Sequence, residues 1–311
     1  MNPIICIAGP TASGKTALAV ELAKLLDGEV VSCDSMQVYR RMDIGTAKPA
    51  KDEMQGIPHH MIDVADPEED FSVSRYCQMA APIVDSIVAR GKTAIIAGGT
   101  GLYMDSLMRG NDFAPFPSTG CREELEAQAD REGMEAMLAL LRAVDPDSAA
   151  RLHVSDRKRI IRALEVYRET GETITAHNEK TRQLPPRYRP VWLGLDFADR
   201  QELYRRIDLR VEAMLRQGLI GEIQSLLASG IPAKCTAMQA IGYKEFVTAL
   251  DGGCTIEEAA AQVQQSSRRY AKRQLTWFRR NPETHWLTRD HDVGPEEILL
   301  QARQVLTGFD N

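Results

Sequence analysis

The chain has 311 residues, of which 43% are hydrophobic and 26% charged, and its formal net charge is −6 at pH 7. This composition excludes a disordered chain, and the net charge taken alone argues against a nucleic-acid-binding protein. At about 150 residues per domain, the length predicts two compact units. The sequence lacks both a membrane-spanning run of ~18 apolar residues and the basic start of a secretory signal, so no membrane association is expected.

The cysteines and the basic residues are distributed very differently. The six cysteines are far apart, with no Cys-x-x-Cys spacing, which argues against a zinc or disulfide framework and predicts a cytoplasmic protein. Residues 268–280, by contrast, hold six basic residues and no acidic one. A concentrated basic segment on an acidic chain predicts a polyanionic partner.

The first hundred residues alternate short apolar runs with helical patterns, which is typical of a parallel α/β sheet. Strands are predicted at residues 3–8, 29–33 and 93–97. Helices are predicted at residues 14–26 and from Val73 to a stop at Gly91.

The middle of the chain has a different character, because strand patterns disappear and charge density rises. We predict a helical insertion domain over residues 113–190, within an α/β core made of residues 1–112 and 191–311. A strand at 191–196 marks the return to the core. The prolines that mark the two ends are Pro115 and Pro117, and Pro185, Pro186 and Pro190.

The C-terminal part is predicted to be mostly helical. Its clearest helix begins at the capping box formed by Thr255 and Glu258 and stops before Pro282. It would be about 35–40 Å long and carries the basic residues 268–280. Its aromatic residues are expected in the core: Tyr270, Trp277 and Phe278.

A phosphate-binding motif follows the first predicted strand and opens the first predicted helix. It consists of Gly9, Pro10, Thr11, Ala12, Ser13, Gly14, Lys15 and Thr16, which match Gly-x-x-x-x-Gly-Lys-[Ser/Thr]. The glycines let backbone N–H groups turn toward phosphate oxygens, while Lys15 supplies a charge and Thr16 a hydroxyl for Mg²⁺. The motif predicts a P-loop NTPase-like sheet with Mg²⁺ as cofactor, and leaves open which phosphorylated molecule binds.

Two acidic residues are candidates for a site beside this loop. Asp34 follows the second predicted strand, and Asp196 ends the strand at 191–196. Because the carboxyl ends of parallel strands line one crevice, Asp34 is the nearer candidate. An N-cap of a helix is the alternative role for Asp34.

Further motifs resemble those of the tRNA dimethylallyltransferases, also called tRNA isopentenyltransferases. They are Asp34 to Arg40, Gly45 to Pro49, Gly56 to Asp63, Phe71 to Val73, Ala97 to Tyr103, Asp156 to Glu165, Ala240 to Glu245, and residues 268–280. Together with the phosphate loop they span positions 9 to 280 in family order. The Cys/His pattern of the zinc finger in some eukaryotic relatives is missing, so the chain resembles the bacterial form.

The resemblance implies transfer of a dimethylallyl group from dimethylallyl diphosphate to N6 of adenosine-37, next to the tRNA anticodon. The phosphate loop would then hold the diphosphate, with Lys15 and Thr16 in catalytic contact with it. Asp34 would be the general base, because an adenine amine is a poor nucleophile. Arg206 is implied as a further diphosphate ligand, and a salt bridge within its own helix is the alternative.

The resemblance also implies the residues that contact tRNA. Asp34, Ser35, Met36 and Gln37 would face the adenine. The others are Thr100, Lys158, Arg159, Ile160, Ile161, Arg162, Gly242, Tyr243, Lys244, Lys272, Arg273, Gln274 and Arg279. For both basic helices, a solvated surface is the alternative.

Two other functions stay open at this point. A P-loop kinase of a small metabolite would have no use for the basic segment. A nucleotide-regulated RNA-binding protein without catalysis would not need Asp34. We expect a monomer.

Overall fold

The fold is that of a computed structural model, which describes residues 4–111, 119–289 and 293–308. Its contacts divide the chain into two compact units, Met1–Gly110 with Arg187–Asn311, and Asn111–Pro186. The sequence placed these boundaries two to four residues later, at 112/113 and 190/191. The positions 112 and 113, Pro115 and Pro117, and Pro3 at the start of the first predicted strand lie outside the described residues.

The first unit is built on a parallel sheet, which has six strands in the part of the chain that the structure describes. They are β1 (Ile4–Ala8), β2 (Gly28–Ser32), β3 (His59–His60), β4 (Thr93–Gly98), β5 (Val191–Phe197) and β6 (Thr284–Arg289). Their spatial order is β3-β2-β4-β1-β5-β6. Ile5 of β1 pairs with Ile95 of β4 on one side and Val191 of β5 on the other. The carboxyl ends of β1, β2 and β4 therefore meet at one edge.

Helices cover this sheet and pack into its core. In the first half of the unit they are α1 (Lys15–Leu25), α2 (Lys51–Met54), α3 (Val73–Ala89) and α4 (Gly101–Arg109). The central strands are buried on both faces, as parallel strands between helices usually are. Ile5, Leu22 and Leu193 are fully buried members of that core.

The second half of the first unit is mostly helical. It contains α10 (Arg200–Arg216), α11 (Leu219–Ala228), α12 (Lys244–Leu250), α13 (Ile256–Phe278) and α14 (Pro295–Thr307), and a 3₁₀ turn at Ala237–Gln239. The predicted capping box of α13 is confirmed, because the Thr255 hydroxyl accepts from the N–H of Glu258 and the Glu258 carboxylate accepts from the N–H of Thr255.

The second unit contains only helices among its described residues. They are α5 (Cys121–Glu132), α6 (Met134–Val144), α7 (Pro146–Arg151), α8 (Arg157–Thr170) and α9 (Ile174–Gln183). Their apolar faces form a separate core, in which Leu125, Met137, Leu141 and Ile160 are fully buried. The predicted fold class, an α/β core with a helical insertion, is confirmed.

The sequence missed two strands, β3 and β6. β3 is only two residues long, and β6 is an edge strand whose residues are partly exposed, so neither presents the apolar run that identifies a buried strand. In the described residues, none of the helices has the length and apolar character that a membrane crossing requires.

Candidate active site

The motif of residues 9–16 forms the turn between β1 and α1. Its glycines have backbone angles that other residues disfavour, with φ of 153° at Gly9 and 90° at Gly14. A Cβ atom on Gly9 would also lie 2.9 Å from the carbonyl oxygen of Leu195 in β5. This turn places an anion site at the N-terminus of α1, where the first N–H groups have no partners within the helix.

Gln274 holds the phosphate loop against the sheet. Its Oε1 accepts a hydrogen bond from the N–H of Thr11 (2.9 Å), and its Nε2 donates to the carbonyl oxygen of Gly99 after β4 (2.9 Å). The side chain is only 5% exposed. The amide is therefore bonded to backbone groups at both ends, and the predicted contact of Gln274 with tRNA stays a prediction.

Two cations lie beside the loop. Nζ of Lys15 donates to the carbonyl oxygen of Pro10 (2.7 Å), and Nη1 of Arg210 in α10 donates to the hydroxyl of Thr11 (3.4 Å). Desolvation, and next the charge of Arg210, lower the pKa of Lys15 to about 7, although Asp34 acts in the opposite direction. Desolvation also lowers the pKa of Arg210. A bound anion would stabilise the charged form of both groups.

Ser13 adds a polar group that the protein leaves unsatisfied. Its side chain is 1% exposed, and within the described residues its hydroxyl has no hydrogen-bond partner. Such a buried hydroxyl is costly unless a ligand or solvent bonds to it. On the outer side of the loop, Nη1 of Arg289 in β6 donates to the carbonyl oxygen of Ser13 (3.4 Å).

Asp34 follows β2 at the same edge of the sheet. Its Oδ1 accepts hydrogen bonds from the N–H groups of Met36 (2.8 Å) and Gln37 (3.3 Å), which form a turn and not a helix. The alternative of a helix N-cap is therefore wrong. Oδ2 accepts no hydrogen bond from any part of the chain that the structure describes. The turn therefore orients the carboxylate through Oδ1 and leaves Oδ2 able to accept a hydrogen bond or a proton from a ligand.

Asp34 and the phosphate loop line one cavity of about 960 Å³, whose walls include residues 11–17, residues 46–51 and Arg210. A second cavity of about 300 Å³ adjoins it, and Asp34 and Tyr270 line both. The second cavity also has a group of apolar lining residues. They include Met36, Ile207, Val211, Met214, Ile241 and Val263. A phosphate cradle, a carboxylate and an apolar compartment are thus continuous.

The remaining residues expected near the adenine lie around this junction. Oγ1 of Thr100 accepts from the N–H of Ser35 (3.0 Å) and joins the ends of β4 and β2. The Gln37 amide lines the larger cavity and donates to the carbonyl oxygens of Thr46 (3.4 Å) and Ala47 (3.1 Å). Gln37 therefore supports the cavity wall.

Arg206 and Arg210 lie one turn apart on α10, and the structure distinguishes them. The guanidinium of Arg206 lies 3.6 Å from Glu202 and over the ring of Phe197. It does not line either cavity, whereas Arg210 lines both. The structure favours Arg210 as the anion ligand and the salt bridge for Arg206.

Residues 268–280 form the C-terminal part of α13 and the turn after it; we call them the basic stripe. Two of its arginines are paired, Arg268 with Asp208 of α10 (2.5 Å) and Arg279 with Asp196 of β5 (2.6 Å). Acids from other elements therefore balance these two arginines, although residues 268–280 contain none, and Asp196 is paired with Arg279. Four exposed cations of the stripe have no salt bridge among the described residues: Arg269, Lys272, Arg273 and Arg280.

The aromatic residues of α13 have different positions. Phe278 is in the core, as predicted, with 2% exposure. Tyr270 is only half-buried and lines both cavities, and desolvation raises its pKa. Trp277 donates from Nε1 to Asp105 (2.8 Å) and packs against α4 at Gly101. Tyr270 is therefore a site residue that the sequence analysis assigned to the core.

Helix α8 of the second unit presents two kinds of residue. Ile160 and Ile161 are 0% and 1% exposed, so their side chains belong to the core of the second unit, and their predicted contact with tRNA stays a prediction. Arg162 is paired with Glu165 (2.7 Å). Lys158 and Arg159 are exposed.

The motif around Tyr243 is also partly buried. Tyr243 is fully buried, and its predicted contact with tRNA stays a prediction. Gly242 lines the second cavity, and the Lys244 side chain is exposed.

The protein groups at the phosphate loop could hold a hard cation such as Mg²⁺ only if a bound ligand supplied further oxygen atoms. In the described residues, no group of three or more His, Cys, Asp or Glu side chains could hold a metal ion. The hydroxyl of Thr16, in the first turn of α1, lines the larger cavity. A single hydroxyl and the oxygens of a bound phosphate group are donors of the type that Mg²⁺ prefers.

Comparison with known proteins decides the family. Residues 37–281 match the family described as IPP transferase. The chain is 42% identical to a tRNA dimethylallyltransferase of Acetivibrio thermocellus, over 99% of both chains. It is 47% identical to tRNA dimethylallyltransferase 2 of Geotalea uraniireducens, over 98% of this chain and 97% of that one. The chain belongs to the tRNA dimethylallyltransferase (IPP transferase) family.

Solved structures agree with this family. The crystal structure of a tRNA isopentenylpyrophosphate transferase from Bacillus halodurans has a TM-score of 0.74 and 41% identity, covering 99% of this chain and 96% of that one. A eukaryotic dimethylallyltransferase described as acting on tRNA has a TM-score of 0.79 and 28% identity, covering 93% of this chain and 74% of that one.

The family match begins at residue 37, after the phosphate loop and Asp34, although the relatives cover these residues. Sequence reasoning found both from local patterns, but it named Arg206 as the further diphosphate ligand and not Arg210. It missed Tyr270 as a cavity residue. Tyr270 lies close to Arg273 and Gln274 in a family motif. That position indicates that the motif is near the active site, but it does not show which of its side chains face the cavity.

Proposed function

We propose that this chain transfers a dimethylallyl group from dimethylallyl diphosphate to N6 of adenosine-37 in tRNA and releases diphosphate. The observation that carries this proposal is that the phosphate loop, the free oxygen of Asp34 and an apolar compartment line continuous cavities. The family membership and the names of its relatives support the same reaction.

The diphosphate binds at the phosphate loop. The N–H groups at the start of α1 donate to its oxygens, and Lys15 and Arg210 supply positive charge. Their lowered pKa values show that the cavity disfavours both charges when no anion is bound. An anion that gathers charge as its bond to carbon breaks is stabilised there more strongly than the intact donor.

Mg²⁺ fits this site as the cofactor, held by the Thr16 hydroxyl and by oxygens of the diphosphate. When bound, it neutralises negative charge on the leaving group.

Asp34 takes the proton from the adenine amine. The new bond joins N6 to the C1 carbon of the donor, the bond from C1 to the diphosphate oxygen breaks, and the N6 proton passes to Oδ2 of Asp34. The N–H groups of Met36 and Gln37 hold Oδ1 and so orient the carboxylate.

The adenine must leave the stacked anticodon loop to reach Asp34, which costs a few kcal/mol, less than in a duplex. Lys272 and Arg273 contact phosphates of the bound tRNA and offset this cost. Lys158 and Arg159 of the second unit do the same.

The proposal is tested by incubating the protein with dimethylallyl diphosphate, Mg²⁺ and unmodified tRNA, digesting the tRNA and weighing its nucleosides. We expect one adenosine per tRNA to gain a dimethylallyl group, and no product when EDTA removes Mg²⁺. ATP consumption with a small metabolite and no modified nucleoside would favour the kinase. Binding of tRNA without any product would favour an RNA-binding protein.

A further inference from the structure

The segment of residues 43–47, which we call the wall segment, lines both cavities and is hydrogen-bonded to one carboxylate. Oε2 of Glu222 in α11 accepts from the N–H groups of Asp43 and Ile44, each at 2.8 Å. Oε1 accepts from the N–H of Gly45 at 3.2 Å. Three successive backbone N–H groups therefore converge on a single side chain.

A tyrosine completes this arrangement. The hydroxyl of Tyr243 donates to Oε1 of Glu222 (2.6 Å), and the Tyr243 side chain is fully buried. Its ring packs so closely against Gly45 that a Cβ atom there would clash with Cε2 and would lie 2.6 Å from Cζ. The wall segment is thus fixed by three hydrogen bonds to Glu222 and by contact with the ring of Tyr243, whose hydroxyl makes the fourth hydrogen bond to Glu222.

The chemistry of this cluster requires a carboxylate. All four partners of Glu222 are donors, and only a carboxylate accepts at both oxygens. A glutamine would turn its NH₂ group toward at least one donor and leave that group unsatisfied, which is costly in a partly buried position.

The wall segment is also hydrogen-bonded to Gln37, which lines the larger cavity. The Gln37 amide bonds the carbonyl oxygens of Thr46 and Ala47. Gln37 also receives a hydrogen bond from Ser32 of β2 (3.0 Å), the strand that Asp34 follows. The position of the wall relative to Asp34 is therefore set by both sets of hydrogen bonds, although Glu222 and Tyr243 themselves line neither cavity.

We propose that Glu222 and Tyr243 are positioning residues for the transfer step: they fix the wall segment at the distance from Asp34 that aligns the adenine amine with the donor. This inference rests on the proposed function and deepens it. It also gives Tyr243 a role that requires no contact with tRNA.

The test compares Glu222→Gln with Glu212→Gln, which removes the same charge from an exposed position of α10. A misplacement of about 1 Å can reduce a rate on the order of 10²-fold, and we expect kcat of Glu222→Gln to fall by that factor in single-turnover transfer. The affinity for inorganic pyrophosphate should match the wild type, because the phosphate loop does not touch Glu222. Glu212→Gln should match the wild type in both measurements.

Two further variants separate loop position from loss of charge. Gly45→Ala keeps the carboxylate but forces the wall segment off the Tyr243 ring, so kcat should fall with pyrophosphate affinity retained. Tyr243→Phe keeps the ring and removes one of four hydrogen bonds, so its loss should be smaller, about tenfold. Hydrogen exchange of a peptide spanning residues 42–48 should be faster in Glu222→Gln than in Glu212→Gln.

The outcomes are distinct. A Glu222→Gln variant that transfers at the wild-type rate overturns the inference. So does one that loses pyrophosphate affinity together with kcat, since that result would indicate general damage to the fold. A wild-type protein that forms no modified nucleoside refutes the proposed function instead, and the hydrogen exchange result then still tests the wall contact by itself.

Discussion

The strand β2 has a carboxylate near each end, and the protein treats the two in opposite ways. Glu29, near the amino end, is buried and bonded at both oxygens, to Arg90 (2.5 and 2.8 Å) and to His60 (2.9 Å). The hydrogen bonds from Arg90 lower the pKa of Glu29 to about 2, against the effect of its burial. Asp34, after the carboxyl end, keeps one oxygen without a partner among the described residues.

This contrast separates charges that stabilise the fold from charges that await a ligand. At the Glu29 end, each oxygen of the carboxylate is satisfied within the protein. At the Asp34 end, Lys15 and Arg210 have lowered pKa values and the Ser13 hydroxyl is unpartnered in the structure as described. Unsatisfied groups gathered at one edge of a sheet are costly for folding, and they persist at sites where function requires them.

The largest effect should follow from removing the free carboxylate. Asp34→Asn keeps the shape and loses the proton acceptor, so kcat for prenyl transfer should fall by about 10²–10⁴-fold. Pyrophosphate binding, measured by calorimetry, should be retained. A variant with full kcat and lost donor binding would make Asp34 a ligand for the donor and not the base.

The matching change at the other end of β2 should act on stability alone. Glu29→Gln should lower the free energy of unfolding by about 2 kcal/mol at pH 7, because the pKa of this carboxyl is depressed in the folded state. The contribution is complete above the unfolded pKa of about 4.3 and is lost as the pH falls toward 2. Denaturant titrations at pH 7 and pH 3 should show the difference between wild type and variant shrinking, with kcat at pH 7 unchanged. An equal difference at both pH values would contradict the ion pair as its cause.

The charge of Lys15 should depend on whether an anion is bound. With a pKa of about 7 in the free protein, Lys15 is mostly neutral at pH 8, and bound pyrophosphate should raise that pKa. Binding at pH 8 should therefore take up a proton, and affinity should weaken as pH rises above 7, by up to about tenfold per pH unit. Calorimetry in buffers of different ionisation enthalpy measures this uptake, and Lys15→Arg, which does not titrate, is the reference. The same uptake by both proteins would contradict the assignment.

The smallest effect is expected in the basic stripe, which also contains both paired and unpaired charges. Arg268 and Arg279 are paired with acids, whereas Lys272 and Arg273 have no salt bridge among the described residues. Replacing both Lys272 and Arg273 by alanine should weaken tRNA binding and reduce the slope of log affinity against log salt by about one to two units. Pyrophosphate binding should be unaffected. The charge-matched control replaces Arg205 and Arg216, which are paired with acids of their own helix, and should leave the slope unchanged. An unchanged slope in the first variant would show that these side chains only solvate the helix.

The features that were predicted correctly from the sequence depend on residues close to one another along the chain. The phosphate loop, the strand before it and the cap of α13 each have a local pattern, and all three are where the sequence placed them. Residue roles that depend on packing were not predictable in the same way. Arg206 has Glu202 four residues before it, and Arg210 has Asp208 and Glu212 two residues away on either side. Acids therefore lie near both arginines in the sequence, and only the packing of α10 shows which arginine faces the cavity.

The role of Glu222 illustrates the same limit more sharply. Three of its four partners are backbone N–H groups 177 to 179 residues away, and backbone groups carry no sequence signal. Ile160 and Ile161 illustrate the opposite case: they belong to a family motif that is rich in basic residues, but their side chains complete the core of the second unit.

The contacts of the phosphate loop with residues late in the chain affect when this loop can form during synthesis on the ribosome. The phosphate loop is made within the first 16 residues, but the groups that support it come much later: Leu195 beneath Gly9, Arg210 and Gln274 beside Thr11, and Arg289 at Ser13. A nascent chain that emerges N-terminal end first must therefore keep this turn incomplete until almost the entire polypeptide has been translated. Contacts between such distant parts of a chain also slow folding. Truncated products should accordingly lack donor binding even when they contain the whole motif.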